Sequence, residues 1–144
     1  MTKSAAYEFD NIGAMQRDRT IEGETGTELG LPGGITLTVL AASDANPRWR
    51  NRIEEIGAEL NRLRNAKANP ERQRKFLSRI YAETIVIGWD GVKAKGVKIP
   101  FSVDACAAFL LAADDAYTAI DAVVYETKNF RGARIEAVVS DLKA

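Results

Sequence analysis

The sequence predicts an α+β protein, mainly α, in which a small N-terminal β-hairpin precedes a bundle of four to five amphipathic helices. The stretch ITLTV at residues 35–39 alternates apolar and polar side chains, which is typical of a half-buried strand. Two Asn-Pro pairs, at 46–47 and 69–70, each precede an apolar stripe of helical spacing. A serine at residue 102 opens a third helical region.

The chain of 144 residues has the length of one domain, and its 46% apolar and 28% charged residues are an ordinary globular composition. Residues 1–18 show neither periodicity nor a strong turn pattern, so we predict a flexible N-terminal arm there. The rest, 19–144, is predicted as a single domain with a β element at 19–42 and a helical part at 46–144.

The β element is predicted from alternation and from turn residues. Ile35, Leu37 and Val39 point to one face, with threonines between them. The range 20–29 is a weaker strand candidate, and the LGLPGG stretch supplies the turn between the two.

The first two helices share one start signal. An asparagine caps the free amides, and the following proline takes the first helical position, where its missing N–H costs nothing. The predicted stripe of the first helix is Trp49, Ile53, Ile56, Leu60 and Leu63. The buried side of the second is Phe76, Leu77, Ile80 and Ile87, although the β-branched run TIVI leaves open an extended chain near Ile85.

Residues 86–101 are predicted as a short β-like connector between helices. Asp90-Gly91 and Gly96 are turn residues, and apolar residues on either side alternate as in two extended segments that return on themselves. A structural connector is favoured over a catalytic loop, and its predicted residues are Trp89, Asp90, Gly91, Pro100, Phe101 and Ser102.

The remaining helices follow from spacing. Ser102 caps a helix whose apolar face is Val103, Cys106, Phe109, Leu110 and Ala113. Another helix begins near Asp114 or Asp115, and NFRGA interrupts it. Ile135, Val138, Val139 and Leu142 indicate a last helical segment.

The composition excludes several kinds of active site. The chain has no histidine, which rules out a Ser-His-Asp or Cys-His catalytic unit within it and any zinc site that needs histidine. Its single cysteine, Cys106, lies among Ala, Phe and Leu and is expected to be a buried small hydrophobe. No cofactor or metal signature is present, no apolar run approaches the ~20 residues of a membrane span, and we predict a non-enzymatic, soluble cytoplasmic protein.

Charge is unevenly distributed although the formal net charge is zero. Residues 1–47 carry a net −4, residues 48–79 a net +6 and residues 80–144 a net −2. The basic range is compatible with phosphate contacts, with Trp49 stacking on a base. A solvated helical face is the favoured reading, because four acids interleave with the bases and Trp49 shares the stripe of Ile53 and Ile56.

The order of motifs resembles that of the tail assembly chaperones of long-tailed phages and related prophages. The resemblance rests on Trp89-Asp90-Gly91, on Gly96, on the Pro100-Phe101-Ser102 step before an Ala/Leu-rich helix, and on Asn129-Phe130-Arg131. The NPRWRNRI stretch is similar to an early Asn-Pro helix of the family, while the longer N-terminal arm and the RNAKANPERQRK junction depart from its pattern.

This resemblance implies an assembly factor that keeps the tape-measure protein soluble and recruits tail-tube subunits in the host cytoplasm, without entering the mature virion. Weak self-association is compatible with such a role, and many members of the family have a frameshifted longer form. The surplus apolar residues of the C-terminal part indicate a partner-binding surface, predicted at Tyr117, Val123, Val124, Tyr125, Phe130 and Arg131. The alternatives are a structural tail or head–tail joining protein that self-assembles, and a DNA-binding regulator that uses residues 48–79.

Overall fold

The computed structural model describes residues 7–65, 69–132 and 134–135. Its strands are β1 Thr27–Leu31, β2 Ile35–Val39, β3 Val86–Asp90, β4 Lys93–Ala94, β5 Val97–Lys98 and β6 Arg134–Ile135. Its α-helices are α1 Pro47–Asn65, α2 Pro70–Thr84, α3 Val103–Ala112 and α4 Asp114–Val123. The predicted α+β class, mainly α, is confirmed.

The strands form a four-stranded sheet of order β3-β2-β1-β6 and a separate β4–β5 ribbon. The pairs β1–β2 and β2–β3 are antiparallel, whereas β6 pairs parallel to β1. The β1–β2 hairpin turns through residues 32–34, where Gly33 and Gly34 adopt positive φ angles. The predicted turn residues therefore make the predicted turn.

The helix starts agree with the sequence signals. Asn69 Oδ1 accepts from the amide of Glu71 at 2.7 Å, and Ser102 Oγ accepts from the amide of Ala105 at 3.0 Å. Asn46 Oδ1 accepts from the amide of Trp49 at 3.4 Å, a longer bond. Each cap satisfies an amide that the helix itself leaves without a partner.

Two segments differ from the expectations. Residues Ile21–Thr25 form a π-helical turn, and only the range from Thr27 is extended, because Glu22 is drawn into a buried ion pair. The helix after Pro70 ends at Thr84, and the β-branched residues that follow enter β3 and pair with β2. The part predicted as helical therefore contributes strands to the sheet.

The predicted connector is also divided differently. Its first half is β3, a member of the main sheet, and the returning hairpin is confined to Lys93–Lys98. At the other end of the chain, residues 134–135 pair as β6, where a last helical segment was predicted. The predicted helical positions Val138, Val139 and Leu142 lie outside the described residues.

One core joins one face of the sheet to the helices. The sheet contributes Leu29, Leu37 and Val39, all fully buried. The helices and the turn after α4 contribute Tyr81, Ile85, Cys106, Leu110, Ala119, Ile120, Val123, Val124 and Phe130. Trp49 and Ile53 of α1 pack at its edge, as their stripe predicts. In the described ranges, no helix has both the length and the hydrophobicity that crossing a membrane requires.

The described part of the predicted arm, residues 7–18, is mostly exposed and contains one 3-10 turn at Gly13–Met15. Arg131 donates a hydrogen bond to the carbonyl of Ala14, and Arg17 pairs with Glu22 and Asp44. These contacts attach the end of the arm to the domain. The flexibility of residues 1–18 stays a prediction.

Candidate partner-binding surfaces

Three of the six residues predicted to bind a partner belong to the core. Val123, Val124 and Phe130 are each 0% exposed. The carbonyl of Val124 also accepts from the amide of Ala42, which fixes the end of α4 against the segment after β2. Because these side chains are covered on all sides, they stabilise the fold and present no surface, which corrects the partner-contact role expected for them.

The other three, Tyr117, Tyr125 and Arg131, reach the surface. Tyr125 is 41% exposed and Tyr117 is half-buried. Both belong to an aromatic cluster with Trp49 and Tyr81, in which neighbouring ring centroids are 5.7–6.4 Å apart: Trp49–Tyr125, Tyr81–Tyr117 and Trp49–Tyr81. The structure thus joins α1, α2 and α4 through rings that are only partly covered.

A buried hydroxyl holds this aromatic cluster together. The Tyr81 O–H donates to Asp121 Oδ1 at 2.6 Å and lies 2.9 Å from the hydroxyl of Tyr125. Burial raises the pKa of Tyr81 far above its ordinary value, so the group stays protonated and remains a donor. The Arg74 guanidinium lies 5.1 Å from the centre of the Tyr117 ring, a cation–π distance.

The residues predicted for the connector meet at the end of β3. The Trp89 ring packs edge-on against Phe101 at 5.3 Å and Phe109 at 5.5 Å, and its indole N–H donates to the carbonyl of Ile99 at 2.9 Å. Gly91 has a φ of +89°, and a Cβ there would lie 2.3 Å from the carbonyl oxygen of Gly34. These contacts fix the β4–β5 ribbon and the start of α3 relative to the sheet.

Asp90 and Pro100 are exposed positions in the same region, at the last residue of β3 and two residues before the Ser102 cap. Asp90 lies opposite Thr36 in the β2–β3 pairing. Their positions are those of connector residues at the surface.

The groups that could support catalysis are few. Cys106 is fully buried, and burial raises the pKa of its thiol to about 12. Within the described part of the chain, no group of three or more Cys, Asp or Glu residues has the arrangement of a metal site.

Cys106 is therefore expected to be inert in the folded protein. A disulfide reagent at pH 8 should label it at least about a hundredfold more slowly in the native chain than in guanidinium, because reaction requires both the thiolate and an opening of the core. The measurement is the labelling rate followed by absorbance. Rapid native labelling would show that the thiol is accessible.

Four arginines of the basic range 48–79 form ion pairs. Arg52 contacts Glu55 and Glu83, and Arg62 contacts Glu59. Arg79 pairs with Glu83 and Asp104, and Arg74 with Asp114. The ring of Trp49 lies against Tyr81 and Tyr125, where it is not free to stack on a base. This arrangement favours a solvated helical face over a nucleic-acid surface.

One charged cluster has no counterpart in the expectations from the sequence. The Glu22 side chain is 0% exposed, and its carboxylate accepts from Arg17 at 2.5 and 3.0 Å and from the hydroxyl of Ser43 at 2.8 Å. The Arg17 hydrogen bonds hold the pKa of Glu22 below its ordinary range against the effect of burial. Arg17 also reaches Asp44 at 2.8 Å, so the cluster ties the arm to the loop before α1.

A groove of about 520 Å³ runs along α2 and α3. Its apolar lining is Phe76, Ala107, Ala108 and Leu111, and its polar lining is Arg72, Lys75 and Arg79. Leu111, the next-to-last residue of α3, is 42% exposed and lines this groove. We call this the α2–α3 groove.

A second groove, of about 380 Å³, lies between the β1–β2 turn and the α3–α4 junction. Leu31, Pro32 and Ile35 line one side, and Asp114 and Asp115 lie at the other. The aspartates occupy the first turn of α4, where a negative charge is stabilised by the helix dipole. Their position is accounted for by the helix itself.

The sequence contains a signal for the α2–α3 groove in the composition of α3, which helical spacing alone does not express. The stretch VDACAAFLLA has one charged residue, so α3 is apolar on the side of Cys106 and Leu110 and also on the opposite side. A helix that is apolar all round requires cover on two faces. The core covers only one of them in the described chain.

Comparison with known families gives one match. The model of the family described as YdaY prophage protein matches residues 44–140, about two thirds of the chain. The matched range begins just before the Asn46-Pro47 helix start and includes all four α-helices and β3. No curated protein and no solved structure matches the chain. The prophage origin implied by the motif resemblance is therefore supported independently, and the chain belongs to the YdaY prophage protein family.

Proposed function

We propose that this prophage protein is a non-enzymatic tail assembly chaperone, which keeps the tape-measure protein soluble and recruits tail-tube subunits while the tube polymerises. The observation that carries the proposal is the uncovered apolar face of α3. Leu111, Ala108 and the partly buried Phe76 and Ala107 form an apolar strip at the surface of a small prophage protein. Such a strip suits a protein that binds an apolar segment of another chain.

The chemistry of the chain is consistent with a binding role. The one thiol is buried and protonated, and histidine is absent from the sequence. The accessible aromatic residues Tyr117 and Tyr125 add a second partly covered surface on α4 and the turn that follows it. A helper that tube subunits must later displace needs modest contacts of this kind more than deeply buried anchors.

The test is co-expression with the tape-measure protein encoded by the same prophage. We expect the tape measure to move from the insoluble to the soluble fraction and to co-elute with this chain in size-exclusion chromatography. An unrelated small helical protein, expressed at the same level, is the control for a general effect of co-expression.

Two results would contradict the proposal. If the tape-measure protein stays insoluble although this chain is expressed at the same level as the control protein, the chaperone role is contradicted. Assembly of the purified chain alone into discrete rings or tubes, seen by electron microscopy, would favour the structural tail or head–tail joining protein.

A further inference from the structure

We propose that the α2–α3 groove binds an amphipathic helix of a partner protein whose apolar stripe is flanked by Asp and Glu side chains. The inference concerns the chemistry of the partner. It deepens the proposed function, in which the tape-measure protein supplies that helix, and it rests on the surfaces of α2 and α3.

The two helices are antiparallel, as two cross-contacts show. Near the start of α3, Arg79 Nη1 contacts Asp104 Oδ1 at 2.7 Å. Near its end, Arg74 Nη2 donates to the carbonyls of Leu110 at 2.9 Å and Leu111 at 3.1 Å. The C-terminal half of α2 therefore lies beside the start of α3, and the N-terminal half of α2 lies beside its end.

Each helix contributes one face to the groove. On α2 the lining residues are at 72, 75, 76 and 79, and on α3 they are at 107, 108 and 111. Both sets have the spacing of one helical face. Because the α3 residues Ala107 and Ala108 have single methyl groups, the surface is lowered there between Phe76 and Leu111. A third helix can lie in this depression along the two others, with its own apolar stripe on the floor.

The charge at the groove has one sign. Its three polar lining residues are all cations, and its lining contains no carboxylate. Arg79 is already paired with Glu83 and Asp104. Arg72 and Lys75 form no salt bridge with another described residue, although Arg72, after Arg62, contributes to lowering the pKa of Glu59. Glu71, one helical turn before Lys75, does not line the groove but lines an adjoining depression together with Lys75 and Leu111. An incoming helix with acids beside its stripe would therefore meet two available cations.

The length of the groove sets the size of the partner segment. The lining residues of α2 extend from 72 to 79, about 10 Å at ~1.5 Å per residue, so about two turns of a partner helix cover the groove. Contacts of this extent to small side chains produce a weak, replaceable complex.

The test uses two model peptides and the full isotope-labelled chain. Both peptides are 18-residue alanine-based helices with a leucine stripe, flanked by glutamates in one and by lysines in the other. Backbone amide chemical shifts are followed as each peptide is added. We expect the glutamate peptide to shift amides around Phe76, Ala107, Ala108 and Leu111, and to bind about tenfold more tightly than the lysine peptide.

Charge reversal supplies the decisive comparison. The double variant Arg72→Glu/Lys75→Glu should reverse the preference and bind the lysine peptide more tightly. Its matched control is Lys93→Glu/Lys98→Glu, which changes the same net charge on the exposed β4–β5 ribbon and should keep the preference for the glutamate peptide. All four positions are exposed, and circular dichroism checks that both variants remain folded.

Four outcomes would overturn the inference. The shifts could map away from α2 and α3, the two peptides could bind equally, or the control could reverse the preference as fully as the groove variant. The fourth outcome is that a second copy of the chain occupies the groove. In that case the groove amides would shift as the concentration of the chain alone is raised, and the chain would sediment as a dimer. If the peptides bind as expected but the tape measure stays insoluble on co-expression, the assignment of the groove is kept and the chaperone role is rejected.

Discussion

Replacement of Asn46 by alanine is expected to lower the free energy of unfolding by about 3 kcal/mol. The Asn46 side chain is fully buried, and its amide donates to the carbonyls of Ala41 at 2.8 Å and Thr84 at 2.9 Å. It joins the end of β2, the start of α1 and the end of α2. Alanine removes the cap and leaves two buried carbonyls without a donor.

Asn69 provides the matched control for this prediction. It also precedes a proline and caps a helix, but it is exposed and its side chain accepts one bond, from Glu71. Asn69→Ala should therefore cost only about 1 kcal/mol. Urea unfolding followed by circular dichroism measures both variants. Equal losses at the two positions would show that capping is the whole role of Asn46.

Replacement by aspartate distinguishes the two roles of Asn46, the capping acceptor and the buried amide donor. Aspartate is as good an N-cap as asparagine, so Asn69→Asp should be nearly neutral. Asn46→Asp should be as destabilising as alanine or more so at neutral pH, because a carboxylate would face two carbonyl oxygens inside the protein. A neutral Asn46→Asp would contradict the assignment of the amide as a donor.

Replacement of Arg17 by alanine is expected to cost about 2–3 kcal/mol at neutral pH. Among the described residues, it leaves the Glu22 carboxylate buried with the hydroxyl of Ser43 as its remaining side-chain donor. Most of the loss comes from the uncompensated charge. The double variant Arg17→Ala/Glu22→Gln should therefore recover much of it, since the glutamine keeps the shape and removes the charge.

The free energy of unfolding changes with pH in opposite directions in the parent and in Arg17→Ala. In the parent, Arg17 lowers the pKa of Glu22 from 4.5, so the stabilisation is complete above about pH 4.5 and is lost as the pH falls through the folded-state pKa. In Arg17→Ala, burial without the cation raises that pKa, so the variant loses stability as the pH rises above about 4.5. The difference in unfolding free energy between the two should be small in acid and largest near neutrality. A difference that does not change between pH 4 and 7 would contradict a buried, ionised Glu22.

The sequence predicts those features whose causes are local. The β1–β2 hairpin follows from alternation and a Pro-Gly-Gly turn, and the helix starts follow from caps that need only a few neighbouring residues. The two Asn-Pro pairs look alike in the sequence for this reason. The burial of Asn46 depends on Ala41 and Thr84, whose carbonyls converge on it from separate elements, and no local pattern records that convergence.

The candidate surfaces likewise depend on tertiary contacts that no local pattern records. Val123, Val124 and Phe130 carry more apolar area than one helical stripe requires, and this surplus indicated a surface. In the fold, the chain turns after Val123 and the segment following β2 docks on Val124, so the surplus is used inside. On α3 the opposite holds. The sequence shows that α3 is apolar on all sides. Which of its faces stays exposed depends on how α3 packs against α2 and the sheet, and the sequence of α3 does not record this.

The parallel pairing of β1 with β6 has a kinetic consequence. The hydroxyl of Thr27 donates to the carbonyl of Gly132 at 2.8 Å across 105 residues of chain, and among the described residues the ladder beside it consists of Glu28–Arg134 and Leu29–Ile135. Closing a loop of that length costs on the order of 4 kcal/mol in chain entropy, which two paired residues cannot offset by themselves. The β1–β2 hairpin and its pairing with β3 are therefore expected to form earlier in folding, with β6 added once the helices have brought the chain ends together.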